Sequence, residues 1–378
     1  MRSSRFWILC ACQVLGVAAL EMGMPFLPAL LEEVGVHQTA DLVRWTGWAQ
    51  GAAFILSLAA TPFWGRIADA TGRKRMLLRA YAGLAASLWM LSAARTPLEI
   101  VLARAVQGAL AGLTPAALAM VCEDALGKRR IALLTSCTVA GALLGPLLGG
   151  CLLASLGASG LYFAGALVSA ACLAGIAAGV PEVPGRGALS AGESAWRAVG
   201  PTAMLAAWIT GLRSLEDPLL SVYVRHLCGN ATDWGVWAGW VVAAARLSGM
   251  LAGPLWARLA ETRGTTSALR RCVLGASVLT AAQALAPTAL ALAGIRFLLG
   301  AFSGGLGPLL QTRGCDRTEP GRRAEAIAIT ASGGRLGSCL ANAGAGACVA
   351  FLGPAGLFVL AGAGMLAAIP WLRRTEYA

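Results

Sequence analysis

The sequence predicts an all-α membrane protein built from twelve transmembrane helices in two pseudo-symmetric six-helix bundles. Three observations carry this. The 378 residues are 57% hydrophobic and only 13% charged, with a mean hydropathy of +0.69, whereas soluble domains carry about 25% charged residues. Apolar runs long enough to cross a bilayer recur along the whole chain. The two halves also repeat each other at a fixed offset. The composition alone excludes a soluble enzyme, a secreted disulfide scaffold and a disordered chain.

In order, the runs fall at about 6–31, 44–64, 76–94, 97–121, 131–155, 159–180, 199–223, 233–256, 268–287, 289–311, 325–350 and 353–372. Met1-Arg-Ser-Ser-Arg5 before the first run resembles a signal peptide, but the run continues to about residue 31, so it reads as an uncleaved first span. The one stretch of different composition is Pro181 to Ala198, with Pro184, Gly185, Gly187 and Gly192. It is read as a cytoplasmic linker joining an N-terminal bundle, 1–180, to a C-terminal bundle, 199–378.

The repeat lies in matched strings. Arg66-Ile-Ala-Asp69-x-x-Gly72 recurs as Arg258-Leu-Ala-Glu261-x-x-Gly264. Arg104, Gly108 and Gly112 recur as Arg296, Gly300 and Gly304, and Gly141 and Gly145 as Gly333 and Gly337. Each pair is 192 residues apart. A parallel repeat of two six-helix halves is one transporter architecture, with substrate and ion bound at the repeat interface.

The net charge of +12 suggests nucleic acid in a soluble protein, but here it follows topology. With both termini in the cytoplasm, the inner loops and tails hold 22 Lys and Arg, and the outer loops hold three, Arg44, Arg95 and Arg225. That asymmetry predicts a multi-pass protein of the cytoplasmic (inner) membrane and no nucleic-acid partner. Most of the eleven cysteines sit singly in apolar runs, where a thiol behaves as a small hydrophobe, and the nearest pair, Cys10 and Cys12, is not at metal-ligand spacing. His37 and His226 lie in outer segments, so no metal site is expected. Trp45, Trp48, Trp234, Trp237 and Trp240, at the outer ends of the second and eighth spans, read as interfacial anchors.

Five basic residues, Arg104, Arg213, Arg246, Arg296 and Arg335, and three acids, Glu21, Glu216 and Asp217, fall inside spans. Each costs about 2.5–3.5 kcal/mol at a helix centre, so it needs a partner or a wet cavity. For Arg213, Arg246 and Arg335 a helix-end position at the membrane interface is an open alternative. Each half offers an acid from its first span (Glu21; Glu216) and a base from its fourth (Arg104; Arg296). Arg213 precedes Glu216 and Asp217 by three and four residues and can neutralise one of them. Glu21 has no charged residue within four positions of sequence. A low-dielectric site favours a protonated carboxyl, so Glu21 is the expected proton site, with Arg104 as the group whose pairing changes. The spans carry five bases against three acids, an excess that leans towards an anionic, zwitterionic or neutral substrate. On the fifth span, Gly141-x-x-x-Gly145-Pro146-x-x-Gly149-Gly150 combines close-packing spacing with a kink.

These residues carry a resemblance. Gly65-Arg-Ile-Ala-Asp69-Ala-Thr-Gly72-Arg73-Lys74-Arg75 resembles the signature loop of the major facilitator superfamily. Arg104-Ala-Val-Gln107-Gly108 is similar to its second motif, and the fifth-span string to the motif of its antiporters. Met24-Pro25-Phe-Leu-Pro28 is similar to the end of the first span in the twelve-helix drug:proton antiporter branch. The resemblance implies the major facilitator fold, alternating access, and a central cavity lined by spans one, four, seven and ten. It implies a cytoplasmic latch of Gly65, Asp69, Gly72 and Arg73, and proton coupling through Arg104. It also implies that Gly145-Pro146 shapes the helix interface that governs exchange and leak. In the second half Ala257, Glu261 and Thr265 replace Gly65, Asp69 and Arg73, so a weaker latch is expected there.

The expected function is a proton-coupled antiporter exporting drugs or metabolites. Its partners are a small-molecule substrate, protons and the lipid bilayer; the proton gradient drives it with no cofactor, and a monomer is expected to suffice. An uptake symporter of the same fold, for an organic anion or other metabolite, is the alternative. A membrane-embedded enzyme or sensor would need a polar active-site cluster or an appended soluble domain, and the sequence has neither.

Overall fold

A computed structural model describes residues 3–121, 127–182, 196–229, 233–319 and 322–374. Among these residues the secondary structure is helical throughout. The linker positions Pro184, Gly185, Gly187 and Gly192 lie outside the described residues.

The first span is interrupted. Helix α1 (Ser3–Met22) gives way to a 3-10 turn at Met24–Phe26 before α2 (Leu27–Glu33) resumes. Pro25 and Pro28 lack the N–H that a continuous helix would need. The Gly23 carbonyl freed by the break accepts from the Phe26 N–H at 3.0 Å and from the Tyr162 hydroxyl at 2.6 Å, as a membrane interior demands. Helix α3 (Thr39–Thr71) forms the second span and α4 (Arg73–Ala93) the third. Between them stands only Gly72, at φ +97°, a conformation that favours glycine.

The fourth span starts with Pro97 in the first turn of α5 (Pro97–Ala109), where the Thr96 side chain caps the Glu99 N–H at 3.3 Å. It breaks before α6 (Leu113–Val121) at Gly112, φ +128°. The sequence reads both the first and fourth spans as continuous; local proline and glycine geometry divides them.

Helix α7 (Gly127–Gly179) contains two spans separated at Gly157, φ +68°. Its first arm runs parallel to α1: Gly141 faces Val14, Gly145 faces Ala18 and Gly149 faces Met22. Its second arm returns antiparallel, with Tyr162 at Gly23, Gly165 at Ala19 and Gly179 at Ile8. The Glu33 carboxylate accepts from the N–H groups of Ala158 (2.6 Å) and Ser159 (3.0 Å) and so caps the returning arm.

The second half is assembled in the same way. Its elements are α8 (Trp196–Ser214), α9 (Leu220–Cys228), α10 (Trp234–Arg263), α11 (Thr265–Ala282), α12 (Ala289–Asp316), α13 (Arg323–Leu366) and α14 (Ala368–Arg374). Helix α13 is divided at Gly353, φ +70°. The 192-residue offset holds in three dimensions. Helices α1 and α8 stop at Met22 and Ser214; Gly72 and Gly264 make the same turn; Thr96 and Thr288 cap α5 and α12. The indole N–H groups of Trp64 and Trp256 donate to the carbonyls of Ala109 and Ala301, both at 2.6 Å. The late kinks, Gly157 and Gly353, have slipped by one helical turn relative to this register, and the break at Gly112 has no counterpart at Gly304, where α12 runs unbroken.

Large apolar side chains such as Trp7, Phe63, Leu340 and Phe351 are exposed around the helices. This is the surface a bilayer covers, because lipid tails are as apolar as the side chains. Among the described residues, seven continuous stretches are long and apolar enough to cross a membrane, and two of them, Arg129–Gly179 and Glu325–Leu372, each hold two spans. Close packing groups Met1–Val36 with Ile55–Ala191, and His37–Phe54 with Gly192–Ala378. In the second grouping the early part of α3 packs closely on α13: Gly47 faces the Asn342 carbonyl, and Cys339 Sγ donates to the Gly51 carbonyl at 3.3 Å.

Candidate functional site

In the first unit, α5 places Arg104 inside the bundle, 6% exposed. Its Nη1 donates to Gln107 Oε1 one turn on, while Arg104 Nε and Gln107 Nε2 find no protein partner. Glu21 and the Tyr162 hydroxyl lie within electrostatic reach of this guanidinium. Glu21 occupies the last turn of α1, immediately before the break. The first arm of α7 presses against it: a Cβ on Gly145 would stand 2.8 Å from both Glu21 Cβ and the Ala18 carbonyl oxygen. Gly141 and Gly149 make the same approach a turn away on either side, Pro146 sits within the helix between them, and Gly150 is buried. A cavity of about 200 Å³ opens beside Gln107, Leu20 and Thr114.

A second polar group there has no counterpart in the sequence reading. The amide of Gln13, fully buried, donates to Thr114 Oγ1 and Thr138 Oγ1, both at 3.0 Å, tying α1 to α6 and α7. Its only signal was a lone amide within an apolar run.

The second unit pairs its charges directly. Between α8 and α9 the chain leaves the helix around Pro218, and Glu216 in that turn is fully buried. Glu216 Oε1 accepts from Arg213 on the same turn and from Arg296 on α12. Its Oε2 accepts from Gln283 Nε2 at 2.6 Å. Asp217 lies 3.8 Å from Arg213 and within electrostatic reach of Arg246. Arg213 and Arg335 line a cavity of about 600 Å³ together with Asp217, Ser303, Gln311 and Ser338. Of the three arginines for which a helix-end position was open, two therefore face a cavity and the third acts on a carboxylate. Gln283, the amide completing the Glu216 cage, was missed because it lies on the ninth span, far from the charged positions in sequence.

The loop motif is partly described. Gly72 makes the turn, and Arg73 Nη1 donates to the Ala119 carbonyl at the end of α6. Lys74 Nζ donates to the Ala177 carbonyl at 2.8 Å, and its N–H to Glu182 Oε1 at 3.0 Å. Gly65 and Asp69 belong to the helical backbone of α3; the Asp69 side chain lies outside the described residues.

Two interrupted helices, each carrying charge at its break and each wrapped by a hairpin of two further spans, can bind and release an ion or solute inside a bilayer. They show no arrangement for covalent chemistry. Comparison with known proteins agrees. The family profile described as Major Facilitator Superfamily matches residues 9–289 and, again, 217–378. The chain is 31% identical over 318 residues to the multidrug resistance protein MdtG of Klebsiella pneumoniae, covering 81% of this chain and 76% of that protein. It is likewise 31% identical over 307 residues to the protein of the same name from Dickeya zeae, covering 78% and 75%. Its fold is similar to the nucleoside transporter NupG (TM-score 0.80, 12% identity, 99% of both chains). It is also similar to the human organic anion transporter MFSD10 (TM-score 0.69, 19% identity, 98% of this chain and 100% of that one). The chain belongs to the Major Facilitator Superfamily of membrane transporters.

Proposed function

We propose that this transporter is a proton-coupled antiporter that exports small molecules across the inner membrane by alternating access, with Glu21 as the proton site. The observation that carries this reading is the setting of Glu21: a carboxylate at a helix break, within electrostatic reach of the buried Arg104. Protonation of Glu21 removes the charge that Arg104 feels, so the arginine's bonding is tied to the proton. The multidrug resistance proteins to which the chain is about one-third identical support export as the direction. The excess of basic residues in one set of loops supports cytoplasmic termini.

Gly72, Arg73, Gly65 and Asp69 then act as a cytoplasmic latch. Gly141, Gly145, Pro146, Gly149 and Gly150 set how closely the fifth span rides on the first. Arg213, Glu216, Asp217, Arg296 and Gln107 form the polar lining. The substrate and protons are the partners, and the gradient is the only energy source.

The test uses everted membrane vesicles energised by respiration, with acridine orange reporting the pH gradient. Organic anions, ethidium and neutral aromatic compounds are added in turn. A transported compound should dissipate the gradient in wild-type vesicles, and Glu21→Gln or Arg104→Ala should abolish that response while the protein still purifies as a single species. Undiminished, pH-sensitive exchange in both variants would remove Glu21 and Arg104 from coupling. Solute movement in the same direction as the protons would replace antiport with symport.

A further inference from the structure

The excess of positive charge within the spans lies in one unit. In the first unit Glu21 balances Arg104. In the second, the spans carry Arg213, Arg246, Arg296 and Arg335 against two acids, Glu216 and Asp217. Both carboxylates are already engaged: Glu216 with Arg213, Arg296 and Gln283, and Asp217 with Arg213 and the field of Arg246. Arg335, half-buried on the first arm of α13, makes no ion pair or hydrogen bond among the described residues, yet lines the 600 Å³ cavity. That volume is within the range of small-molecule sites, about 300–1,000 Å³.

An unneutralised guanidinium at membrane depth is costly and is retained most cheaply by a group that pairs with it. The remaining walls suit an anion's other oxygens, since Ser303, Gln311 and Ser338 bring hydroxyl and amide groups to the same cavity. A planar guanidinium engages carboxylate and phosphonate oxygens in pairs.

We propose that the cavity between α8, α12 and α13 binds organic oxyanions, carboxylates or phosphonates with a small apolar body, and that Arg335 is the residue that anchors the anionic head. This deepens the export reading by naming its substrate class and rests on that reading for the direction of transport, though not for binding. A lipophilic cation would meet Arg335 and Arg213 across the same wall, which disfavours it through like-charge repulsion.

The test is equilibrium binding to the purified full-length protein, followed by tryptophan fluorescence without any gradient. Phenylbutyrate and phenylphosphonate are compared with phenylbutylammonium, which has a similar body and opposite charge. Saturable binding of both anions, at least about tenfold tighter than the ammonium, is expected, and Arg335→Gln should weaken it by about tenfold or more. Asp217→Asn, which removes the only carboxylate on the cavity wall among the described residues, should tighten it severalfold and supplies a second arm if Arg335→Gln fails to fold. Ammonium binding equal to or tighter than that of the anions overturns the proposal, as does anion affinity that is indifferent to Arg335→Gln or that falls in Asp217→Asn. Because no gradient is involved, these outcomes are independent of whether Glu21→Gln abolishes proton-driven transport.

Discussion

Arg296 donates to the fully buried carboxylate of Glu216, while its repeat-mate Arg104, 192 residues earlier, turns instead to the amide of Gln107. Two halves built on one plan thus hold one closed ion pair and one arginine with donor capacity to spare. The closed pair is a structural fixture, and the open one is the arginine proposed above to respond to the proton.

Breaking the closed pair should therefore be a stability defect first. Removing one partner of a buried pair costs about 3–5 kcal/mol, because the other charge stays buried. Arg296→Ala should fall at the lower end of that range, since Arg213 still shares the same Glu216 oxygen. The thermal midpoint of the detergent-solubilised protein should fall clearly in Arg296→Ala and recover in part in the double variant Arg296→Gln, Glu216→Gln. Equal midpoints for the single variant and wild type would show that the pair contributes nothing.

Close helix approach predicts a second pattern. Gly145→Ala puts a methyl group 2.8 Å from the Ala18 carbonyl and from Glu21 Cβ, and overpacking of this kind costs about 1–3 kcal/mol. Gly294, on α12, has nothing within 4 Å of an added Cβ, and alanine there should be neutral or stabilising by up to about 1 kcal/mol through helix propensity. Thermal midpoints of the two variants should move in opposite directions, or one should fall and the other stay. A Gly145→Ala protein as stable and active as wild type would mean that α1 and α7 separate without penalty.

The helix break gives a third. Tyr162 donates to Gly23, a carbonyl that the break leaves outside the helical ladder, at 2.6 Å. Tyr81 donates to Cys12, in the uninterrupted part of α1, at 2.7 Å. Tyr162→Phe should cost about 0.5–1.5 kcal/mol, the net worth of one hydrogen bond, because the Gly23 carbonyl keeps the 3.0 Å bond from the Phe26 N–H; Tyr81→Phe should cost no more, since Cys12 lies within continuous helix. Hydrogen exchange around residues 23–27 should accelerate in Tyr162→Phe alone. The same acceleration in both variants would contradict the distinction.

The spans and the repeat were legible because they depend on residue counts and spacing that survive without coordinates. So was the glycine stripe Gly141, Gly145, Gly149, since four-residue steps put small residues on one helix face. The interruptions at Gly23 and Gly112 were not, because an apolar run reads as continuous whatever its backbone does. The amides Gln13 and Gln283 were equally silent: one amide in an apolar run has no distinguishing pattern until packing brings a partner to it. Symmetry of sequence also concealed an asymmetry of bonding, since Arg104 and Arg296 look equivalent until the turn after α8 delivers Glu216 to only one of them.

The glycine-lined seam between α1 and the first arm of α7 has a mechanical meaning. Backbone carbonyls from Val14 to Met22 rest against glycines of α7, so the α7 side of the seam raises no side-chain ridge against a shift of α1 along its own axis. Beyond the break, Glu33 pins the far end of α2 to the start of the returning arm. The three residues of 3-10 turn between them rise about 2.0 Å each where α-helix rises about 1.5 Å, which makes the turn an extensible joint. A small piston stroke of α1, taken up at Met24–Phe26, would carry Glu21 past Arg104 and leave α2 where it is.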